Sequence, residues 1–313
     1  MNSIVKSIKN KHVLVVGDAI LDRTIIASMM GVSIETPTLK AKELKEEISF
    51  GGAANVVNNI LALGAKCTFL TLLGEDQYLA HYKWYDKNLI FVPIIDKRQN
   101  IVKNRFWIEK GKIRYKYLQI NRGSKEAMSD NKFEEFFKKF KDLIKGVDII
   151  AFVDYNSGIF LNKENVFLMI QEANRCGKFT IASSQTSDGP NRYPNFFGVS
   201  LMCMNESEAI ANFSSFNNSI KGITELSNIL GSSVCVTLGD KGSIINKSGN
   251  ITQEPAHLVE VIDSSGAGDS FLAALSVCIE EQDLKFCNLW ASLSTKRVGP
   301  GCPSLEEINE LVI

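Results

Sequence analysis

The sequence predicts an α/β fold: a mostly parallel sheet covered by helices on both faces, with a small β lid. Three observations predict it. Short apolar runs bounded by turn residues alternate with segments of helical period, the pattern of strands linked by crossover helices. Toward the end of the chain, Leu258–Ile262 reads as a strand that feeds the turn Asp263-Ser264-Ser265-Gly266-Ala267-Gly268-Asp269, which opens the apolar helical run Phe271–Ile279. Two half-polar extended stretches, about 23–50 and 98–120, interrupt the alternation. No repeat, low-complexity tract or linker divides the chain, so one domain over 1–313 is expected, with those two segments inserted as the lid.

Taken in order, Val13–Val16 reads as a buried strand ending at Gly17-Asp18. Thr24–Ile26 and Lys40–Leu44 read as extended and half exposed, with Pro37 arguing against a helix between them. Gly51-Gly52 then opens a helix over about 53–63 that Gly64 stops. Thr68–Leu73 is a strand, 77–87 a helix and Ile90–Ile95 a strand. Val102–Glu109 and Lys112–Ile120, joined at Lys110-Gly111, form a hairpin whose Phe106, Ile108, Tyr115 and Tyr117 suggest one apolar face. Helices over 131–145, 162–176, from Ser207 and over 219–230 then alternate with strands Asp148–Val153, Phe179–Ala182, Val199–Met204 and Val234–Leu238.

Composition excludes several classes of function. The chain has 313 residues, with 35 Lys+Arg against 35 Asp+Glu, so neither a nucleic-acid surface nor a membrane surface is expected. No apolar run approaches a membrane span, and the first, His12–Val16, is too short for a signal peptide. Seven cysteines without a C-x-x-C pair suggest reduced thiols in a cytoplasmic protein. His12, His81 and His257 do not cluster, which argues against a His/Cys metal site.

The chemistry concentrates at strand ends. Backbone N–H groups at a glycine-opened helix start favour an anion. Gly266 and Gly268 let a ligand approach there, and Asp269 beside them suits a base that deprotonates an attacking hydroxyl; it reads as well as a helix cap. Asp18 and Asp22, after the first strand, suit a polyol or a turn. Gly51 and Gly52 offer bare backbone to a ligand and Asn55 an amide, or they make a tight turn. Asn205 and Glu208 can hold hydrated Mg²⁺ with its phosphates, or cap a helix. Thr237, Gly239 and Gly242 permit close contact with a nucleotide, or form a hairpin turn. There is no G-x-x-x-x-G-K-[ST] and no G-x-G-x-x-G after the first strand, which argues against a P-loop enzyme and a dinucleotide dehydrogenase.

The order and spacing of G-G-A-A-N-V near residue 50, N-x-x-E near 205, T-x-G-x-x-G near 240 and D-x-x-G-A-G-D ending at Asp269 resemble the PfkB, or ribokinase-like, carbohydrate kinases over essentially the whole chain. Within them the likeness is greatest to the heptose 7-phosphate kinases, including the kinase half of the bifunctional heptose kinase/adenylyltransferase. It rests on Val15–Asp18 with Leu21–Arg23, Gly51–Asn55, Leu63–Ala65 and Asp154-Tyr155. The nucleotidyltransferase half has no counterpart in these residues.

The resemblance implies a three-layer α/β/α fold with a β lid and ATP-dependent phosphorylation of a heptose 7-phosphate at its anomeric oxygen. Its alternatives are a fructose-like acceptor, or a catalytically weak sugar- or nucleotide-binding relative. It implies Asp269 as the base and Gly266, Ala267 and Gly268 as the anion hole. Asp22, Gly51, Gly52 and Asn55, with Asp18, become sugar contacts. Arg105 on the lid meets the substrate phosphate, and Asp263 supports the anion-hole loop. Asn205 and Glu208 become the Mg²⁺–phosphate pair, and Thr237, Gly239 and Gly242 ATP contacts. A monovalent cation and a homodimer through the lid are compatible with it. The chain departs from the heptose kinases at Asp154-Tyr155-Asn156-Ser157-Gly158, where they carry D-Y-x-K-G, and at Ser183–Thr186, where they carry D-P-K-G.

Overall fold

A computed structural model describes residues 2–111, 113–186, 189–279 and 283–312. In chain order the strands are β1 (His12–Gly17), β2 (Ala19–Val32), β3 (Leu39–Gly52), β4 (Lys66–Gly74), β5 (Leu89–Asp96), β6 (Ile101–Lys110), β7 (Ile113–Arg122), β8 (Ile149–Asp154), β9 (Phe179–Ser184), β10 (Leu201–Asn205), β11 (Ser233–Thr237), β12 (Ser243–Lys247) and β13 (Asn250–Glu254). The helices are α1 (Asn2–Lys9), α2 (Ala53–Ala62), α3 (Asp130–Leu143), α4 (Lys163–Arg175), α5 (Glu206–Asn212), α6 (Ile220–Leu230), α7 (Ala267–Val277), α8 (Leu284–Ser294) and α9 (Leu305–Val312). The main sheet has nine strands in the order β13-β12-β11-β10-β9-β8-β1-β4-β5. Its neighbours pair in parallel except β11–β12 and β12–β13.

The apolar strand runs are continuous because both faces are covered. Val13 and Val15 point into one core with Ala53, Val57, Phe271 and Trp290, while Leu14 and Val16 point into a second with Phe136, Phe140 and Met169. The first core lies under α2, α7 and α8; the second lies under α3, α4 and α6.

The lid is a four-stranded sheet in the order β3-β2-β6-β7. It is rooted deeper than the expected 23–50, because β2 starts two residues after β1 ends. That root places Asp22 opposite Ser49, and Ile20 opposite Gly51. Arg105 stands opposite Gln119, and Lys103 opposite Asn121. The expected apolar face is broken: the register steps from Phe106↔Leu118 to Trp107↔Lys116, skipping Tyr117. Ile108 is buried while Tyr115 and Tyr117 are exposed. Lys112, part of the expected hairpin, lies outside the described residues.

Two expected elements are absent among the described residues. In place of a helix over 77–87 there is one 3₁₀ turn, Leu79–His81. The aromatic side chains there serve packing that a helix would scatter. Trp84 stacks on Phe50 at 4.1 Å and donates to Asn58 Oδ1 at 2.8 Å, while Tyr82 is buried in the first core. Leu258–Ile262 is not a strand; it runs extended over the surface, with Leu258 83% exposed, and docks where Thr295 O accepts from the Ile262 and Asp263 amides. Its apolar residues line a cavity instead of a sheet face.

Candidate active site

The turn at Asp263–Gly266 is held from below. Asp263 accepts from the Ser265 amide at 3.0 Å and the Gly299 amide at 2.9 Å. Burial pushes its pKa up, but these N–H donors and the charge of Lys116 outweigh burial and leave it below the usual carboxylate range. Gly266 caps α7 at φ 84°, and a Cβ there would lie 2.7 Å from Asn55 Nδ2. Only glycine meets both demands. Ser270 N–H is the first to bond within the helix, to Gly266 O at 3.0 Å, and Ala267 N–H turns back to Ser264 O at 3.2 Å. Of the expected Gly266–Gly268 anion hole, Ala267's amide is thus engaged. The amides of Gly268 and Asp269 sit at the positive end of the helix dipole.

Asp269 is 7% exposed, yet it lines two cavities. Tyr155 Oη donates to Oδ1 at 2.5 Å and Asn55 Nδ2 to Oδ2 at 2.9 Å. A carboxylate oxygen has two lone-pair directions, so each retains capacity for a further donor. Desolvation raises its pKa to about 6, against the opposing pull of Tyr155, Asn55 and Lys103. Asn55 is itself oriented: Asn59 Nδ2 donates to its Oδ1 at 3.3 Å, and Trp290 Nε1 donates to Asn59 Oδ1 at 2.8 Å. The amide therefore faces Asp269, and Asn55 orients the carboxylate where the sequence suggested a sugar contact.

A polar cavity of about 290 Å³ opens in front of Asp269, lined by Asp22, Lys103, Arg105, Tyr155 and Ser265 among others. Arg105 Nε donates to Asp22 Oδ1 at 2.6 Å and its NH1 to Ser265 Oγ at 3.0 Å, with both charged side chains buried. Its charge is thus compensated, which weakens the expectation that it meets a phosphate. Gly52 lines this cavity. Gly51 serves clearance, since a Cβ would come within 2.0 Å of Asp22 Oδ2.

Asp18 does not line this cavity. Its carboxylate accepts from the amides of Tyr155 (2.9 Å), Ser157 (3.1 Å) and Ile159 (3.3 Å), binding the loop after β8 to the end of β1. Burial, aided by Asp154, raises its pKa to about 7. Asp154 accepts from Ser184 Oγ at 2.7 Å and the Asn156 amide at 2.8 Å.

On the other side of α7, an apolar cavity of about 290 Å³ is lined by Thr237, Gly239, Gly242, Leu258, Val261 and Phe271 among others. A third, of about 270 Å³, joins the two and carries Asp154, Asn205, Glu208, Gly266, Gly268 and Asp269. Asn205 and Glu208 form a reciprocal capping box at the start of α5: Asn205 Oδ1 accepts from the Glu208 amide at 2.8 Å, and Glu208 Oε2 from the Asn205 amide at 3.0 Å. Glu208 Oε2 also accepts from Tyr193 Oη at 3.1 Å, and burial raises the carboxyl's pKa. No group of three His, Cys, Asp or Glu forms a metal cluster among the described residues. Glu208 and Asn205 facing the joining cavity suit a hard cation that keeps most of its waters.

Lys103, Tyr155, Gln119 and Gln185 line the polar cavity and escaped assignment from sequence. Lys103 had a usable signal, because it precedes Arg105 by two on the same strand and shares its face. Asn59 had another, an amide four residues beyond Asn55, one helical turn along the same face.

A family model described as pfkB family carbohydrate kinase matches residues 10–307. The bifunctional protein HldE of a Nitratiruptor species is 27% identical over 316 residues, and that of Campylobacter curvus is 29% identical over 320. The alignments cover 96% and 97% of this chain but 64% and 65% of those proteins, so the chain spans somewhat under two thirds of the relatives it matches. Phosphofructokinase-2 from Escherichia coli in complex with potassium superposes with a TM-score of 0.76 at 19% identity, over 96% of this chain and 97% of that one. Arabidopsis thaliana ribokinase complexed with ribose and ATP gives 0.70 at 19% identity, over 97% and 99%. All seven cysteines are free thiols, and no helix among the described residues is long and apolar enough to cross a membrane.

Proposed function

The chain belongs to the pfkB family of carbohydrate kinases, and from that premise we propose that it transfers the γ-phosphoryl group of ATP to a heptose 7-phosphate at the anomeric oxygen. One observation carries the reading: a polar cavity, an apolar cavity and the space joining them meet at the N-terminus of α7, beside Asp269. The sugar occupies the polar cavity and the adenine the apolar one, against Leu258 and Val261. The γ-phosphate reaches the Gly268 and Asp269 amides. Asp269 takes the proton of the acceptor hydroxyl, whose oxygen attacks phosphorus in line as the bond to the β-phosphate breaks and ADP leaves. A pKa near 6 leaves Asp269 ionised at neutral pH yet more basic than an ordinary aspartate. Mg²⁺ held through water by Asn205 and Glu208 would neutralise phosphate charge. The heptose assignment rests on the HldE relatives. Tyr115, Tyr117, Leu118 and Ile120, exposed on the outer lid strand, support a homodimer through the lid.

ADP release over a panel of heptose 7-phosphate, fructose 6-phosphate and free sugars tests the reading. Heptose 7-phosphate should give the highest kcat/KM. Asp269→Asn should lower kcat by about 10²–10⁴ with ATP binding retained. Preference for fructose 6-phosphate would move the substrate assignment, and near-native turnover by Asp269→Asn would refute the role of the carboxylate.

A further inference from the structure

Asp18 stands where three elements meet. It is the single residue between β1 and β2. Its amide donates to Val153 O of β8 at 3.2 Å, and its carbonyl accepts from the Ala53 amide, the first of α2, at 3.0 Å. Its side chain is 4% exposed and borders a void of about 10 Å³, room for roughly one water and too small for a sugar. The carboxylate therefore faces protein groups.

Those groups are the amides of the turn after β8, which two acids share. Asp18 Oδ2 accepts from Tyr155 and Ser157, and Oδ1 from Ile159. Asp154 Oδ1 accepts from the intervening Asn156. Asn156 stands at φ 56°, a left-handed conformation that costs a side-chain-bearing residue energy and that the bonds on either side sustain. Tyr155 opens this turn, and its Oη donates to Asp269 Oδ1. A side chain holds its partner at a fixed distance only where its own backbone is held. The second donor to Asp269, Asn55, stands on α2, whose first amide is bonded to Asp18 O. Both donors thus trace to one residue, Tyr155 through the Asp18 side chain and Asn55 through its backbone.

We propose that Asp18 is a positioning residue for the base: by holding the turn that opens at Tyr155, it sets the hydrogen bond through which Tyr155 keeps Asp269 ionised. Its effect on turnover rests on the kinase reading above, whereas its hold on the turn rests on the fold alone. Asp18→Asn keeps the shape of the side chain but exchanges one acceptor oxygen for an NH₂ donor. Whichever way that amide lies, at least one of the three N–H groups then faces a donor.

The test follows kcat/KM against pH in the full chain, by ADP release at limiting acceptor, for the wild type, Asp18→Asn, Tyr155→Phe and the double variant. Asp18→Asn should move the acid limb upward, by at most the roughly 1–2 pH units that loss of the Tyr155 donor brings. A negative charge lost through space would move the limb downward, and the acid whose charge bears on Asp269 is Asp22. In the Tyr155→Phe background, Asp18→Asn should move the limb no further. A downward or absent shift, or one of equal size with and without the tyrosine hydroxyl, would overturn the proposal and leave the kinase reading intact. Hydrogen exchange in the wild type needs no variant to fold. The Tyr155, Ser157 and Ile159 amides should exchange as slowly as those of β8, and exchange at the rate of an open loop would overturn the hold on the turn. A wild type that releases no ADP with any acceptor would sink the kinase reading and with it the effect on turnover, while slow exchange would still uphold the hold on Tyr155.

Discussion

Replacing Tyr155 by Phe isolates one hydrogen bond to the proposed base. Tyr155 Oη lies 2.5 Å from Asp269 Oδ1, and Phe at this position keeps the ring and removes only the hydroxyl. A hydrogen bond to a charged group contributes about 1.5–3 kcal/mol, and 1.36 kcal/mol corresponds to one pKa unit. Loss of the donor should therefore raise the pKa of Asp269 from about 6 by roughly 1–2. The carboxylate works only when ionised, so kcat/KM should fall on the acid side, with its limb near pH 6 in the wild type and shifted upward by that amount in the variant. At a pH well above both limbs the two proteins should converge, because Asn55 still orients the carboxylate. The stability linkage runs the opposite way in pH. A folded pKa above the ordinary 3.8 means that the native state binds more protons between the two values. The contribution to stability is therefore full below 3.8 and lost as pH rises through 6, further in the variant. The assay is ADP release from about pH 5 to 9 at limiting acceptor, a window that brackets both limbs. A variant whose acid limb does not move, with a uniformly lowered plateau, would show that Tyr155 does not set the ionisation of Asp269.

The glycines at the start of α7 should separate by role. Gly266→Ala places a side chain at φ 84° against Asn55 and Pro300, and should cost about 1–3 kcal/mol in thermal or urea denaturation as well as activity. Gly268→Ala meets no atom within 4 Å, so it should melt like the wild type and lose kcat, because its methyl enters the space proposed for the phosphoryl group. Asp263→Ala removes the acceptor for the Ser265 and Gly299 amides. It should raise KM for ATP and destabilise by about 1–3 kcal/mol at neutral pH. Since the folded pKa of Asp263 is depressed, that stabilisation is present above the ordinary 3.8 and vanishes as pH falls through the folded value, so variant and wild type should converge at low pH.

The strand–helix alternation, the glycine turn into α7 and the two inserted lid segments were legible in the sequence, because strand burial on both faces and glycine backbone freedom leave local marks in residue type. So was the position of Asp269 with the glycines before it, at the start of α7, and that of Gly51 and Gly52 at the end of β3; Asp22 lies inside β2, a stretch that the sequence reads as a loop after the first strand. The course of Leu258–Ile262 was not legible. An apolar extended run looks the same whether it pairs in a sheet or lines a ligand cavity, and only its distance from β13 decides. The partners of Asp269 were decided by tertiary structure too. Asn55 lies 214 residues away and Tyr155 114, and no local pattern states that Asn59 and Trp290 turn the Asn55 amide toward the carboxylate. Residue type alone set which groups could carry charge or donate a proton. That Asp22 pairs with Arg105, and that Lys103 and Tyr155 line one cavity, follows from how the lid folds over the sheet. Electrostatic compensation depends on distances of a few ångströms between segments remote in the chain, and those distances exist only once the chain has folded.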